Sequence, residues 1–304
     1  MTLHCTIGEL ERLLLGKYPA QDAESWDRTG LLAGDPSCMV SGVAVALDPS
    51  VHAIEQAKQA GANVLLTHHP AFLQPPESFL PGTSVAQQPG ALIYSALENG
   101  VALMNFHTAL DMNEEGLMAL PNALGLDYVR TVQPMPGATD TGRGYGALCS
   151  VGTVGGGGVP GATVGETADG DAGAAAVEAA GEAAGTSDAF AKSVCQLAQV
   201  CKQVLGGAPR IWGDVQAPVR YVVTAQGSAG SILPDALALG VDCLICGELK
   251  YHDALAYAQA GLNIIEVGHD VSEQPLADVL YRSVRDLGVE NVVELPRTTN
   301  WISL

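Results

Sequence analysis

Residues 53–68 read AIEQAKQAGANVLLTH. A helical run ends at Gly61, an apolar stretch follows, and His68 and His69 stand where that stretch stops. Glycine closes a helix because it adopts left-handed geometry without a steric clash. A short apolar run without polar alternation reads as a strand buried on both faces, as parallel strands are. The pattern recurs three times: ALIYSALENGVALMNFH at 91–107 with Gly100, ILPDALALGVDCLICG at 232–247 with Gly240, and ALAYAQAGLNIIEVGH at 254–269 with Gly261. Further strands are expected at 42–48 and 221–225, one upstream of each pair. Each half then runs strand–helix–strand–helix–strand. The fold class is α/β, with two βαβ-type lobes and mostly parallel sheets. We expect the N-terminal lobe at residues 1–128 and the C-terminal lobe at 129–304.

The second lobe carries an interruption at 151–187, rich in Gly, Ala and acidic residues and nearly free of large apolar ones. Such composition cannot bury enough surface to offset its ordering entropy, so a flexible acidic insertion is expected. Its glycines lack the GK[ST] ending of a phosphate loop.

Composition narrows the function. Hydrophobic residues make up 47% of the 304 and charged residues 15%, enough apolar content for a sizeable core. A formal charge of −19, with no Lys/Arg cluster, argues against nucleic acid as a partner. No apolar run approaches membrane-spanning length and the N-terminal stretch lacks a secretory pattern, so a cytoplasmic location away from membranes is expected. Seven irregularly spaced cysteines do not suggest a disulfide framework. Cys243 and Cys246 lie in one strand run, where residues three apart point to opposite faces and cannot share an ion. They read as core thiols.

The histidines carry the chemistry. Four of seven, His68, His69, His107 and His269, fall just past the ends of the buried strands. Ligands of parallel α/β sheets bind at that edge. His107 and Asp111 are spaced His-x3-carboxylate, as are His269 and Glu273, so a first helical turn can put each pair on one face. Adjacent His68 and His69 can serve two neighbouring ions, one each. This donor set suits two divalent ions of the Zn, Fe, Mn or Ni type better than calcium. Each half could instead hold one ion of its own. Any one of these histidines alone would read as an ordinary buried or surface residue. Glu248, at the end of the third repeated strand, is a candidate proton carrier and catalytic residue, or else a partner of a ligand or a helix-start carboxylate. His252 is a weaker candidate of the same kind. His4 and His52 read as solvated.

LLTHHPAF (65–72), NFHTALD (105–111), GELKYHDAL (247–255) and VGHDVSE (267–273), with Trp26-Asp27-Arg28-Thr29-Gly30-Leu31 before them, resemble the motifs of the Nif-three-like dinuclear-metal-centre family, also named type-two GTP cyclohydrolase I-like. The likeness covers nearly all the chain except 151–187. It implies a metal pair held in a cleft between the lobes by His68, His69, His107, Asp111, His269 and Glu273. It also implies toroidal homohexamers with sites facing an internal cavity. Arg28 stands where that signature has Asn. The insertion is too short and too polar for the extra domain some members carry, so regulation tied to that domain is not expected.

Together these readings suggest a metal-dependent hydrolase of a nucleotide-like small molecule, GTP being the substrate the resemblance implies. The alternative is a non-catalytic oligomer, a scaffold or a metal-handling protein. Basic residues converging on the ligands would favour the enzyme, and Lys250 is the only obvious one in the sequence.

Overall fold

A computed structural model describes residues 3–81, 89–137, 142–152 and 192–297. Two compact units emerge: Met1–Ala119, Gly142–Gly144 and Glu273–Leu304 form the first, and Leu120–Thr141 with Tyr145–Ser272 the second. Most of the 151–187 stretch lies outside the described residues.

In the first unit, helix α1 (Ile7–Lys17) starts in a capping box, with Thr6 and Glu9 each bonding the other's backbone N–H. Strands β1 (Gly30–Ala33) and β2 (Val43–Ala46) precede helix α2 (Val51–Gln59), β3 (Val64–Thr67), α3 (Pro89–Asn99) and β4 (Ala102–Asn105). The sheet order is β1-β4-β3-β2, with a fifth strand at the far edge from the chain's last described segment, Val292–Glu294. That strand pairs in parallel with β2, Val43 opposite Val292, so residues expected in a C-terminal lobe complete the first sheet instead. β2, β3 and β4 run parallel and only β1 is antiparallel. All residues of β2, β3 and β4 are buried, which explains their unbroken apolar sequences. Val43, Val45, Val64 and Leu66 pack with Leu10 and Leu14 of α1 and with Leu276 and Leu280 from the C-terminal part of the chain. On the opposite face, Ala44 and Leu65 pack with Ile54 of α2 and Leu92 of α3.

Short helices α4 (Thr108–Asp111), α5 (Glu114–Leu117) and α6 (Ala119–Leu124) follow β4. The second unit's sheet has six strands, in the order β5 (Asp127–Pro134), β6 (Gly144–Ser150), β10 (Tyr221–Ser228), β11 (Cys243–Glu248), β12 (Asn263–Glu266) and β8 (Arg210–Trp212). β7 (Lys192–Ser193) and β9 (Pro218–Val219) form a separate two-stranded sheet. β10, β11 and β12 are parallel, and β6 and β8 flank them antiparallel. Helix α7 (Val194–Leu205) has a capping box of Ser193 and Gln196. α8 (Leu233–Ala238) and α9 (Tyr251–Gln259) make the two crossovers. Cys243 and Cys246 are fully buried in β11, where burial pushes both thiols up. They are core residues. Helix α10 (His269–Asp286) follows β12, and β13 (Val292–Glu294) is the strand that joins the first sheet.

All four expected steps are present. Gly61, Gly100, Gly240 and Gly261 take φ of +74°, +66°, +64° and +103° between the helix and strand of each step. No helix among the described residues is long and apolar enough to cross a membrane.

Candidate metal centre

The parallel register of the first sheet sets Ala46, Thr67 and Asn105 level at the carboxyl ends of β2, β3 and β4. The residues just beyond, Asp48, His68, His69 and His107, therefore leave the sheet at one edge. The rings of His68, His69 and His107 lie 5.0, 5.1 and 5.6 Å apart by centroid. One nitrogen from each falls within 4.8 Å of the others, a group able to hold a metal ion.

Every one of the four expected histidines is gripped through Nδ1. His68 Nδ1 lies 3.1 Å from the Phe106 carbonyl, His69 Nδ1 2.8 Å from Asp48 Oδ1, and His107 Nδ1 3.0 Å from Asp27 Oδ1. In the second unit, His269 Nδ1 lies 3.0 Å from Glu248 Oε1. An acceptor at Nδ1 fixes the tautomer and ring orientation and leaves Nε2 as the donor atom for a metal, the usual support of a histidine ligand.

Burial shapes the charges. His68 is fully buried, and burial holds its pKa down at about 3, so the ring is neutral at physiological pH. Its Nδ1 then donates to the Phe106 carbonyl, and Nε2 makes no hydrogen bond. That atom sits 3.6 Å from Asp111 Oδ1 and 3.9 Å from Glu273 Oε1. A buried, unsatisfied polar atom costs about 1–3 kcal/mol. A cation between this lone pair and the two carboxylates would remove that penalty. Asp111 is raised to about 7, by burial first and by the charge of Glu273 second. For His69, burial acts downward, but hydrogen bonds and charges from Asp48 and Glu273 prevail and raise it to about 10. Its Nε2 lies 2.9 Å from Glu273 Oε2, so a proton links imidazole and carboxylate. Such a proton is what a bound metal exchanges.

Asp27 was not among the expected site residues, although its motif was. Burial acts upward on its carboxyl, yet hydrogen bonds from His107 and Thr108 outweigh it and lower the pKa. Oδ2 accepts from the Thr108 backbone N–H at 2.9 Å and from its hydroxyl. Asp27 thereby ties the start of α4, and with it Asp111, to the ring of His107. Trp26 stands edge-on to His107 at 5.9 Å. Asp48 was likewise missed; its signal was a carboxylate at the end of a strand parallel to those bearing the histidines.

In the second unit Glu248 is half exposed and serves as the acceptor for His269, an orienting position. Gly247, just before it, has no space for a Cβ against the Gly227 carbonyl and the Ser272 hydroxyl. The loop after β11 is pinned by the Leu249 N–H, which donates 3.0 Å to Glu266 Oε1. Buried Glu266 also accepts from Arg210 Nε at 2.9 Å and from the Trp212 indole. His269 begins α10, and Glu273 follows one turn later on the same helix. His4, His52 and His252 are exposed.

The chain is 29% identical over 275 residues to a GTP cyclohydrolase 1 type 2 homolog of Streptomyces coelicolor, covering 90% of this chain and 83% of that one. It is 26% identical over 270 residues to the Clostridium perfringens protein of the same name, covering 88% and 87%. A Staphylococcus aureus hypothetical protein superposes with TM-score 0.76 at 20% identity, over 98% of this chain and 99% of the other. A Bacillus cereus protein related to NIF3 does so with TM-score 0.73 at 20% identity, over 98% and 99%. The model of the Duf34/NIF3 (NGG1p interacting factor 3) family matches residues 5–300, and the chain belongs to that family.

Proposed function

We propose that His68, His69, His107, Asp111, His269 and Glu273 hold two divalent metal ions, and that the protein is a metal-dependent hydrolase of a nucleotide-like small molecule. The observation that carries this reading is His68, a buried neutral imidazole whose Nδ1 is satisfied and whose Nε2 is left with two carboxylates for neighbours. The donor set of four imidazoles and two carboxylates fits borderline ions such as zinc, iron, manganese or nickel. Such a metal pair, when bound, lowers the pKa of water toward neutrality and polarises a substrate oxygen.

The chain's own residues do the rest. The Phe106 carbonyl, Asp27, Asp48 and Glu248 orient the histidines, and buried His68 keeps solvent from the back of the site. Asp111, raised to about 7 in the metal-free site, gives up that proton when it serves as a ligand. Glu248 keeps a second carboxylate oxygen beside the one that faces His269, so its catalytic assignment stands as part of the proposal. The names of the Streptomyces and Clostridium relatives make GTP the first nucleotide to try. Assembly into homohexamers belongs to the same proposal.

The test is metal content by mass spectrometry on protein purified without chelator or affinity metal, beside an Asp111→Ala, Glu273→Ala variant. About two ions per chain are expected in the wild type and none in the variant. Metal unaffected by the substitutions overturns the ligand set. Metal that binds without any nucleotide hydrolysis moves the reading to a metal-handling protein or scaffold.

A further inference from the structure

A cavity of about 460 Å³ opens beside His69, and all its lining residues belong to the first unit. Its size falls within the roughly 300–1,000 Å³ usual for small-molecule sites. One wall is shared with the candidate centre, because His69 and Asp48 line it. Leu92 and Leu295 are among its apolar lining residues. The other charged residue in the lining is Arg297. The backbone N–H of Leu295 donates 2.8 Å to the Val45 carbonyl, so the β13–β2 pairing brings Arg297 to this wall. Asp48 Oδ1 lies 2.8 Å from His69 Nδ1. Basic residues are scarce in this chain, 14 against 33 acidic ones, so a guanidinium in the lining of a cavity that His69 also lines stands out. Arginine is the side chain best shaped to grip a two-oxygen anion. The start of α2, at Val51 and His52, lies in the same wall and adds a favourable dipole, though Ser50 already caps the Ala53 N–H.

We propose that this cavity is the substrate subsite and that Arg297 receives the oxyanion, phosphate or carboxylate, of a small molecule whose reacting end reaches His69. This deepens the hydrolase reading and rests on it. It also supplies the basic residue that the sequence offered only as Lys250, in the other unit.

The experiment is a calorimetric titration with inorganic phosphate, on metal-free and metal-loaded protein, with metal content measured alongside. Arg297→Met is expected to weaken phosphate binding at least about ten-fold, the scale of one charge-assisted hydrogen bond. Arg297→Lys should retain part of it. Gln56→Trp, which fills the cavity from a half-exposed helix position, should weaken it independently of the arginine. Metal content should not change in any variant. Acetate that displaces phosphate would extend the subsite to carboxylates, and acetate that does not would restrict it to phosphate. No phosphate binding in the wild type, or wild-type affinity in Arg297→Met, overturns the proposal. So does loss of metal together with phosphate in Arg297→Met, since the arginine would then be supporting the centre. Arg297-dependent phosphate binding in a wild type that takes up no metal leaves the subsite standing and overturns the metal reading alone.

Discussion

Both units contain two helix–glycine–strand steps, yet they put different chemistry at matching strand ends. β3 of the first unit runs out into two histidines and β4 into a third. β11 of the second runs out into Glu248 and β12 into one histidine, His269. The first unit sinks its imidazoles: His68 is fully buried and the His107 side chain is 17% exposed, while that of His269 is 37% exposed. The orienting acids divide less cleanly: the Asp27 side chain is at 0% exposure, but that of Asp48, also in the first unit, is at 53%, close to the 56% of Glu248. One architecture thus carries buried imidazoles in the first unit and a more exposed one in the second. Desolvation strengthens electrostatic preferences, so the first unit should dominate metal affinity.

Four measurements would break or sharpen that contrast. His107→Ala should lower metal affinity about a hundred-fold or more, roughly one ligand's share of a structural metal's binding energy. His269→Ala should cost about ten-fold less than that. Equal losses, measured by competition with a chromophoric chelator, would remove the asymmetry. Next comes pH. Metal-free His69 keeps its proton up to about 10 and Asp111 keeps one up to about 7, so a metal must displace these protons. Affinity should therefore rise about a hundred-fold per pH unit just below 7, where both protons must leave, and about ten-fold per unit from 7 toward 10, where only that of His69 remains. A flat profile would show that the Glu273–His69 proton is not in the metal's way. Third, Asp27→Asn should cost about ten-fold in affinity and Glu248→Gln only a few-fold, the range of orienting partners. Last, Cys243→Ala should lower stability by about 1–2 kcal/mol through a core void and leave metal content unchanged, read by thermal unfolding and mass spectrometry. Metal lost with Cys243 would contradict its place inside the sheet.

The strands that carry the site were legible because burial on both faces leaves an unbroken apolar run. The histidines were legible because they interrupt those runs at a repeated place. Edge strands were not. β8 and β13 are three residues long, and β5 alternates exposed with partly buried positions, so none carries a distinctive pattern. The fold class held, but the division of the chain differs from a break at 128/129, since the pairing of Val292 with Val43 spans most of the chain. Orienting groups were the hardest to read. The acceptor for His68 is a backbone carbonyl, which has no sequence signature, and Asp27 meets His107 only through tertiary packing.

The parallel pairing of β13 with β2 also sets an order of events during synthesis. The edge of β2 cannot be covered until residues 292–294 leave the ribosome, after all of 120–272 have emerged. Domains usually complete in the order they are made. Here the stretch made second can close first, while the earlier one waits with an open strand edge, the kind of surface that recruits other chains. Glu273 arrives with that same late segment, so metal offered to the nascent chain would meet the histidines before it meets this carboxylate.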